Sequence, residues 1–277
     1  MNQETEMNET LKNKFDNLIE SLKETRSLAI AFSGGIDSTV LLFAAKKALD
    51  NNTLAITIKS PLHPPDETEE ASALAKKLGI RHITTETNEL EIPDFALSPP
   101  ERCYLCKSHR FKIINTIANE HGFKTIADGT VQDDLHDFRP GRKAAEEQGI
   151  ISPLAQAGLS SRDVRKIAQS FNLPNKDKPS ESCLAMRFPV GHAISTSFLS
   201  RVMLAEAFIK QLGFTTCRVR THNDIARIEV LPEEMQKLWE QDTQNKINEK
   251  LLSLGYRYVA VDIAGYKTGN MNPENLS

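Results

Sequence analysis

The 277-residue sequence has few cysteines, no excess of basic charge and no apolar run long enough to span a bilayer, and each absence removes a class of function. With only Cys103, Cys106, Cys183 and Cys217 it lacks the cysteine density of a disulfide-stapled secreted domain. A net charge of −3 gives no global attraction to nucleic acid, so RNA or DNA is not implied as a partner, although a local basic groove is compatible with that total. The stretch from Met1 to Thr10 is polar and acidic and lacks the basic and apolar regions of a signal peptide. With no membrane-spanning run either, a cytoplasmic protein without a membrane partner is expected. Internal repeats and low-complexity tracts are also missing, which sets aside solenoids and flexible linkers.

What is present is an ordinary globular composition, with 39% apolar and 26% charged residues, enough to build one large domain or two modest ones; two are expected. In a reducing cytoplasm the four cysteines suit metal or redox chemistry better than structural disulfides.

Hydrophobic spacing sets the order of elements. Leu11, Phe15, Leu18, Ile19 and Leu22 share one helix face, and Leu28 to Phe32 reads as a buried strand. A helix over Thr39 to Ala48, a strand over Leu54 to Ile58, a helix over Glu67 to Leu78 and a strand over His82 to Thr85 complete a βαβαβ order. A helix over Lys107 to Glu120, a strand over Lys124 to Ala127 and a helix capped by Ser160-Ser161-Arg162-Asp163 follow. This alternation predicts an α/β domain, a doubly wound parallel sheet with ligands beyond the carboxyl ends of its strands. From Asn172 to Gly191 the periodicity stops and prolines punctuate a polar run, read as a crossing segment. Beyond it, a helix over Ser197 to Leu212, strands over Thr216 to Thr221 and Ile225 to Val230, a helix near Pro232 to Leu254 and a strand over Tyr256 to Ile263 predict a smaller α+β domain. The expected division is 1–180 and 181–277.

Between the first strand and its helix lies Ser33-Gly34-Gly35-Ile36-Asp37-Ser38-Thr39. Free N–H groups and the positive end of a helix dipole make such a junction an anion site. The glycines allow close approach of backbone to phosphate, Ser33, Ser38 and Thr39 add hydroxyls, and Asp37 can hold the Mg²⁺ that accompanies ATP. A structural turn explains two glycines alone, but not the whole string. The lysine of the nucleoside-triphosphate P-loop signature is absent, which points away from γ-phosphate cleavage. The string resembles the pyrophosphatase (PP) loop of the N-type ATP pyrophosphatases, the group of GMP synthetases, NAD synthetases and tRNA thiolases. That resemblance implies cleavage between the α- and β-phosphates and transfer of AMP to a substrate oxygen. Ile126-Ala127-Asp128-Gly129-Thr130 resembles a further part of the same fold, with Gly129 beside the adenine and Asp133, Asp134, Asp137 and Arg139 following on the active edge. Taken singly, Asp133 and Asp134 are also readable as a solvated acidic loop.

Cys103 and Cys106 form a C-x-x-C pair at the start of a helix, where the helix terminus and flanking Arg102 and Lys107 suit a thiolate ligand or nucleophile. The pair alone fits half a zinc site, a dithiol redox pair or part of an iron–sulfur centre, and no second C-x-x-C is present to complete a zinc site. Cys183, before Arg187 and Pro189, is a third candidate; a small buried side chain on a loop is its structural alternative. Three thiolates on one [4Fe–4S] cluster would leave one iron without a protein ligand and open to sulfide.

Across nearly the whole chain the sequence resembles LarE-type pyridinium-carboxylate sulfur transferases, which make the thiocarboxylates of the nickel-pincer nucleotide cofactor. The resemblance rests on Ser33 to Thr39, Asp128 to Thr130, Asp137 to Gly141, Cys183 to Pro189 and Arg218 to Glu229. It implies a [4Fe–4S] cluster on Cys103, Cys106 and Cys183, because the family contains one kind that sacrifices a single cysteine matching Cys183 and another with three cluster cysteines. It also implies that Arg187, Arg218 and Arg220 bind a mononucleotide substrate, that Glu206 and Glu229 act with Cys183 near the reactive centre, and that the protein is a homo-oligomer. On pattern alone Arg218 and Arg220 read as exposed arginines on one sheet face. Val190 departs from the family, which often has tyrosine there, and Cys217 reads as a packed small residue.

The expected function is adenylation of a substrate carboxylate followed by its thiolation. The alternatives are a PP-loop tRNA thiolase, for which no added RNA-binding module or basic tail is visible, an ammonia-using synthetase of the GMP or NAD synthetase type, and a non-catalytic nucleotide or iron–sulfur sensor.

Overall fold

In a computed structural model that describes residues 7–135, 140–179 and 182–267, the chain divides into two compact units. One takes Met1–Ser60, Pro64–Thr87 and Cys103–Glu181, and the other takes Pro61–His63, Asn88–Arg102 and Ser182–Ser277.

The first unit is built on a parallel sheet of β1 (Leu28–Ala31), β2 (Thr53–Lys59), β3 (Arg81–Glu86) and β4 (Ile126–Ala127), in the order β3-β2-β1-β4. A bridge from Ala127 to Ile151 continues the sheet past β4. Its helices are α1 (Glu9–Glu24), α2 (Ile36–Leu49), α3 (Pro65–Lys77), α4 (Arg102–Glu120), α5 (Pro140–Glu147), α6 (Pro153–Gln156) and α7 (Ser161–Ser170). Side-chain alternation along the strands produces two cores. Leu28 and Ile30 of β1 join Leu11, Phe15, Leu18 and Leu22 of α1, the apolar positions of α2, and Val164 and Ile167 of α7. Ala29, Leu54, Ile56 and Ile126 point the other way and pack with Phe111, Ile114 and Ala118 of α4 and Ala144 of α5. Both faces of the sheet are thus covered, as the alternation of strands and helices predicted. Burying each large side chain contributes about 1.5–3 kcal/mol.

The second unit packs α8 (Thr196–Gln211) and α10 (Gln241–Ser253) with a mixed sheet of β5 (Cys217–His222), β6 (Ile225–Val230) and β7 (Tyr258–Val261), with the four-residue helix α9 (Met235–Leu238) between β6 and α10. β5 and β6 are antiparallel, and β6 and β7 parallel. Val219, Ile228 and Val230 face the core with Ala205, Ile209 and Leu251, which leaves Arg218, Arg220, Arg227 and Glu229 on the opposite face.

Several expected bounds are corrected. The single helix near Pro232 to Leu254 is a 3-10 turn at Pro232–Glu234, then α9, then α10, broken at Trp239 and Glu240. β7 is confined to Tyr258–Val261: Tyr256 turns into the core ahead of it, and the Asp262 N–H makes a closing bond to the Ile228 carbonyl at 2.9 Å. β4 keeps only Ile126–Ala127, and α4 begins at Arg102, ahead of the expected Lys107.

Candidate functional site

In the strand order β3-β2-β1-β4 the connections leave β1 in opposite directions, so the switch point lies between β1 and β4. Two loops meet there. After β1, Gly34 has φ +73°, and a Cβ on it would stand 3.1 Å from the Ala71 Cβ on α3. Gly35 is the N-cap of α2 and makes no side-chain cap bond, which leaves the positive end of the helix for an anion. After β4, a Cβ on Gly129 would lie 2.9 Å from the Ser38 amide nitrogen and 3.1 Å from its Cα, so backbone meets backbone at the opening of α2.

The polar groups fix this geometry. Ser33 Oγ is 3.1 Å from Ser38 Oγ and exposed. Ser38 Oγ and Thr39 Oγ1 donate to the Gly35 carbonyl at 3.1 and 2.8 Å. Asn175 Nδ2 donates to the Gly34 carbonyl at 3.0 Å and to Thr39 Oγ1 at 2.9 Å. Asp37 is half-buried in the first turn of α2. On the β4 side, the buried Asp128 carboxylate accepts from Thr130 N, Thr130 Oγ1 and Ser152 Oγ at 3.2, 2.8 and 2.7 Å. Asp133 and Asp134 accept from the backbone amides of Ser161 and Val131. Asp137 and Arg139 lie outside the described residues.

In the second unit Arg187 and Glu206 form a buried bidentate pair, Nε to Oε1 at 2.8 Å and an Nη to Oε2 at 2.9 Å. β5 is the sheet edge, and its Val219 N–H is met by Glu206 Oε1 at 2.9 Å in place of a strand. Arg187 also donates to the carbonyls of Ser182 and Cys183 at 2.7 and 3.1 Å. Arg220 pairs with Glu229 at 2.8 Å and donates to the Met186 carbonyl at 2.9 Å, while Arg227 ties Glu229 to Asp262. Arg102 donates to the Phe188 carbonyl at 2.8 Å and to Ser98 Oγ. Three guanidinium groups therefore hold the backbone from Ser182 to Phe188 in place around Cys183. Arg218 and Arg220 are buried, against the exposed face that the pattern alone suggested; Arg218 packs over the Tyr266 ring. Burial, then the charge of Arg227 and the proximity of His192, hold His222 below the usual imidazole range.

None of the four cysteines is in a disulfide. Cys103 and Cys106 lie one helical turn apart on α4 in the first unit, and Cys183 precedes the 3-10 turn Leu184–Arg187 in the second, its Sγ accepting from Ala185 N at 3.3 Å. These three are half-buried. Cys217 is fully buried, and burial pushes its thiol well up, with Glu206 adding to the effect; it is the packed residue its setting predicts. Among the described residues no group of three or more His, Cys, Asp or Glu side chains is gathered to hold a metal ion.

The PP-loop domain family matches residues 7–138, and the chain is 39% identical over 262 residues to an uncharacterised protein of Synechocystis, covering 95% of this chain and 98% of that one. It is 38% identical over 268 residues to the pyridinium-3,5-bisthiocarboxylic acid mononucleotide synthase of Lactiplantibacillus plantarum, covering 95% of each. The chain belongs to the LarE family. The glutamine-hydrolysing GMP synthase of Aeropyrum pernix is 29% identical over 131 residues, 45% of this chain and 26% of that one, a likeness far short of the end-to-end match with LarE. As a LarE protein the chain is a PP-loop, ATP-using enzyme.

Sequence reasoning about this LarE protein passed over Asn175, took Arg102 only as a charge flanking the C-x-x-C pair, and gave the Asp128 carboxylate no role of its own. Asp128 stood inside a recognised motif, and its contacts within two residues could have marked it. Asn175 is 141 residues from Gly34, and no local pattern carries that contact.

Proposed function

We propose that this LarE protein is an ATP-dependent sulfur transferase that adenylates the carboxylate of a carboxylated pyridinium mononucleotide and then thiolates it, in biosynthesis of the nickel-pincer nucleotide cofactor. The observation that carries the reading is the end-to-end similarity to a synthase of that chemistry, in a chain that has a lysine-free phosphate loop at the sheet's switch point.

Ser33, Gly34, Gly35, Ser38 and Thr39 form the loop that receives the ATP phosphates, and Gly129 lets the loop after β4 close against the opening of α2, where it would lie beside the nucleoside. Arg139 is a further proposed ATP-binding residue. Asp37 offers the single carboxylate that Mg²⁺ needs when phosphates and water fill its other positions. The substrate carboxylate attacks the α-phosphorus, pyrophosphate leaves, and the poor leaving group becomes AMP. Sulfur delivered at Cys183 then attacks the acyl carbon; a C–S bond forms as the C–O bond to AMP breaks. Arg187 and Glu206, with Arg220 and Glu229, hold the Cys183 segment for that step, and the buried positive charge of Arg187, Arg218 and Arg220 is the proposed attraction for the anionic mononucleotide.

The half-buried thiols of Cys103, Cys106 and Cys183 fit as thiolate ligands, in contrast to buried Cys217. A [4Fe–4S] cluster bound by them would supply one iron without a protein ligand as a seat for exchangeable sulfide. The proposed protein is a cytoplasmic homo-oligomer, with a first domain over 1–180, apart from the segments 61–63 and 88–102 that group with the second unit, and a second over 181–277.

The test is an anaerobic assay of pyrophosphate release with the mononucleotide or with bulk tRNA, alongside iron and acid-labile sulfide analysis. Mononucleotide-dependent release and about four irons per chain are expected. Release driven by tRNA, or by ammonia with Cys183→Ala fully active, would replace this reading.

A further inference from the structure

Asn175 belongs to no recognised motif, yet it holds the phosphate loop from the far side. Its amide has two N–H groups, and both are used on the loop: one on the Gly34 carbonyl at 3.0 Å, one on Thr39 Oγ1 at 2.9 Å. Thr39 passes its own proton to the Gly35 carbonyl at 2.8 Å. Asn175 therefore holds the Gly34 carbonyl directly, and through the Thr39 hydroxyl it supports the Gly35 carbonyl, which the Thr39 N–H and Ser38 Oγ also meet at 3.0 and 3.1 Å. In a planar trans peptide the carbonyl of one residue and the N–H of the next point in opposite directions. Holding the Gly34 carbonyl thus aims the Gly35 N–H, and holding the Gly35 carbonyl aims the Ile36 N–H at the mouth of α2. Gly34 has φ +73° and no side chain to restrain it, and on the other edge of that peptide plane the Gly35 N–H meets Ser33 Oγ at a long 3.3 Å, so the shorter Asn175 bond is the stronger hold on it. A Lys178–Glu70 ion pair at 2.6 Å ties the same segment to α3 beside Ala71, the residue against which Gly34 packs.

The other end of the amide strengthens the case. Asn175 Oδ1 is buried and has no hydrogen-bond partner among the described residues, a costly arrangement that asks for a reason. Turning the amide over would place Oδ1 against the Gly34 carbonyl and Nδ2 away from the loop, so the donors are kept on the loop at the expense of the acceptor.

We propose that Asn175 is a positioning residue for adenylation, one that aims the amides of the phosphate loop at ATP. This rests on the ATP-dependent reading above. Removing the donors should weaken ATP recognition and leave recognition of the mononucleotide, assigned above to arginines of the second unit, unaffected.

The experiment compares the intact protein with Asn175→Ala and Asn175→Asp in pyrophosphate release, with KM measured separately for ATP and for the mononucleotide, and with melting temperature measured without ligand and with MgATP. Loss of two hydrogen bonds should raise the ATP KM about tenfold in Asn175→Ala, and further in Asn175→Asp, which sets an acceptor and a negative charge against the loop. The mononucleotide KM should stay within about twofold, and the melting-temperature rise caused by MgATP should shrink while the ligand-free melting temperature holds. An unchanged ATP KM in both variants overturns the proposal, as does an equal rise in both KM values or failure of both variants to fold, which would make Asn175 a structural residue. An inactive unmodified protein that still gains melting temperature with MgATP refutes the transferase reading and leaves the loop-positioning claim to be decided on that gain alone.

Discussion

Gly34 carries two constraints at once, a left-handed backbone and a neighbour, Ala71, where a side chain would go. Gly34→Ala is therefore expected to cost about 1–2 kcal/mol from backbone alone and to weaken ATP binding more than it weakens the fold. Denaturant melts alongside ATP titration will separate the two; equal loss in both would count against a phosphate role. The Arg187–Glu206 pair is the second residue-scale case. Glu206→Gln leaves a buried guanidinium without its countercharge but keeps an acceptor for Val219 N–H, and about 3 kcal/mol of stability should be lost in urea unfolding. Changing both, Arg187→Met with Glu206→Leu, should recover most of that stability and yet lose thiolation, because the carbonyls of Ser182 and Cys183 lose their donor. A double variant that thiolates normally would remove positioning of Cys183 from the pair's role. The phosphate loop could be read from sequence because its residues are contiguous, whereas the bracing of the Cys183 segment by Arg102 and Arg220 depends on contacts 86 and 34 residues apart.

At the scale of elements, α7 was legible down to its cap. Ser160 and Asp163 form the expected capping box, and Asp163 also accepts from Lys14 at 3.1 Å. Burial alone would raise the Asp163 carboxyl, but the hydrogen bonds from the Ser160 N–H, Lys14 and the Ser160 hydroxyl outweigh it and hold the group below the usual carboxylate range. A carboxyl depressed in the folded state contributes stability that is present above its unfolded value, near pH 4, and is lost as pH falls through its folded value. Asp163→Asn should accordingly destabilise the protein at pH 7, and the gap from the unmodified protein should narrow as acid titrates the native carboxyl. A gap that stays constant down to pH 3 in chemical denaturation would contradict this. Other bounds were hidden. The chain breaks at Trp239 and Glu240 without a glycine or proline to mark the place, so the polar, helix-forming run from Pro232 read as one helix. Ile126–Ala127 is a strand by virtue of its neighbours β1 and Ile151, and two residues carry no periodicity.

For the molecule as a whole, the α/β order and the smaller α+β unit were legible because each helix and strand shows its own apolar spacing. The route of the chain between the units was not, since Asn88–Arg102 gives no sign in sequence of where it packs. That segment belongs with residues far downstream: Ser98 Oγ donates to the Pro189 carbonyl, Ile194 N donates to the Ala96 carbonyl at 2.7 Å, and Phe95 is 1% exposed. A fragment of residues 1–180 should therefore leave Phe95 uncovered, bind a hydrophobic dye and resist concentration, while a fragment that also lacks 88–102 with a short replacement should behave better. Equal behaviour of the two fragments in dye binding and size-exclusion would refute this. The same threading sets an order of events during synthesis. The ribosome emits 88–102 long before 182–267, so these residues must wait, exposed, through the making of the rest of the ATP-binding unit; each new molecule passes through an interval in which chaperone capacity, more than final stability, decides its yield.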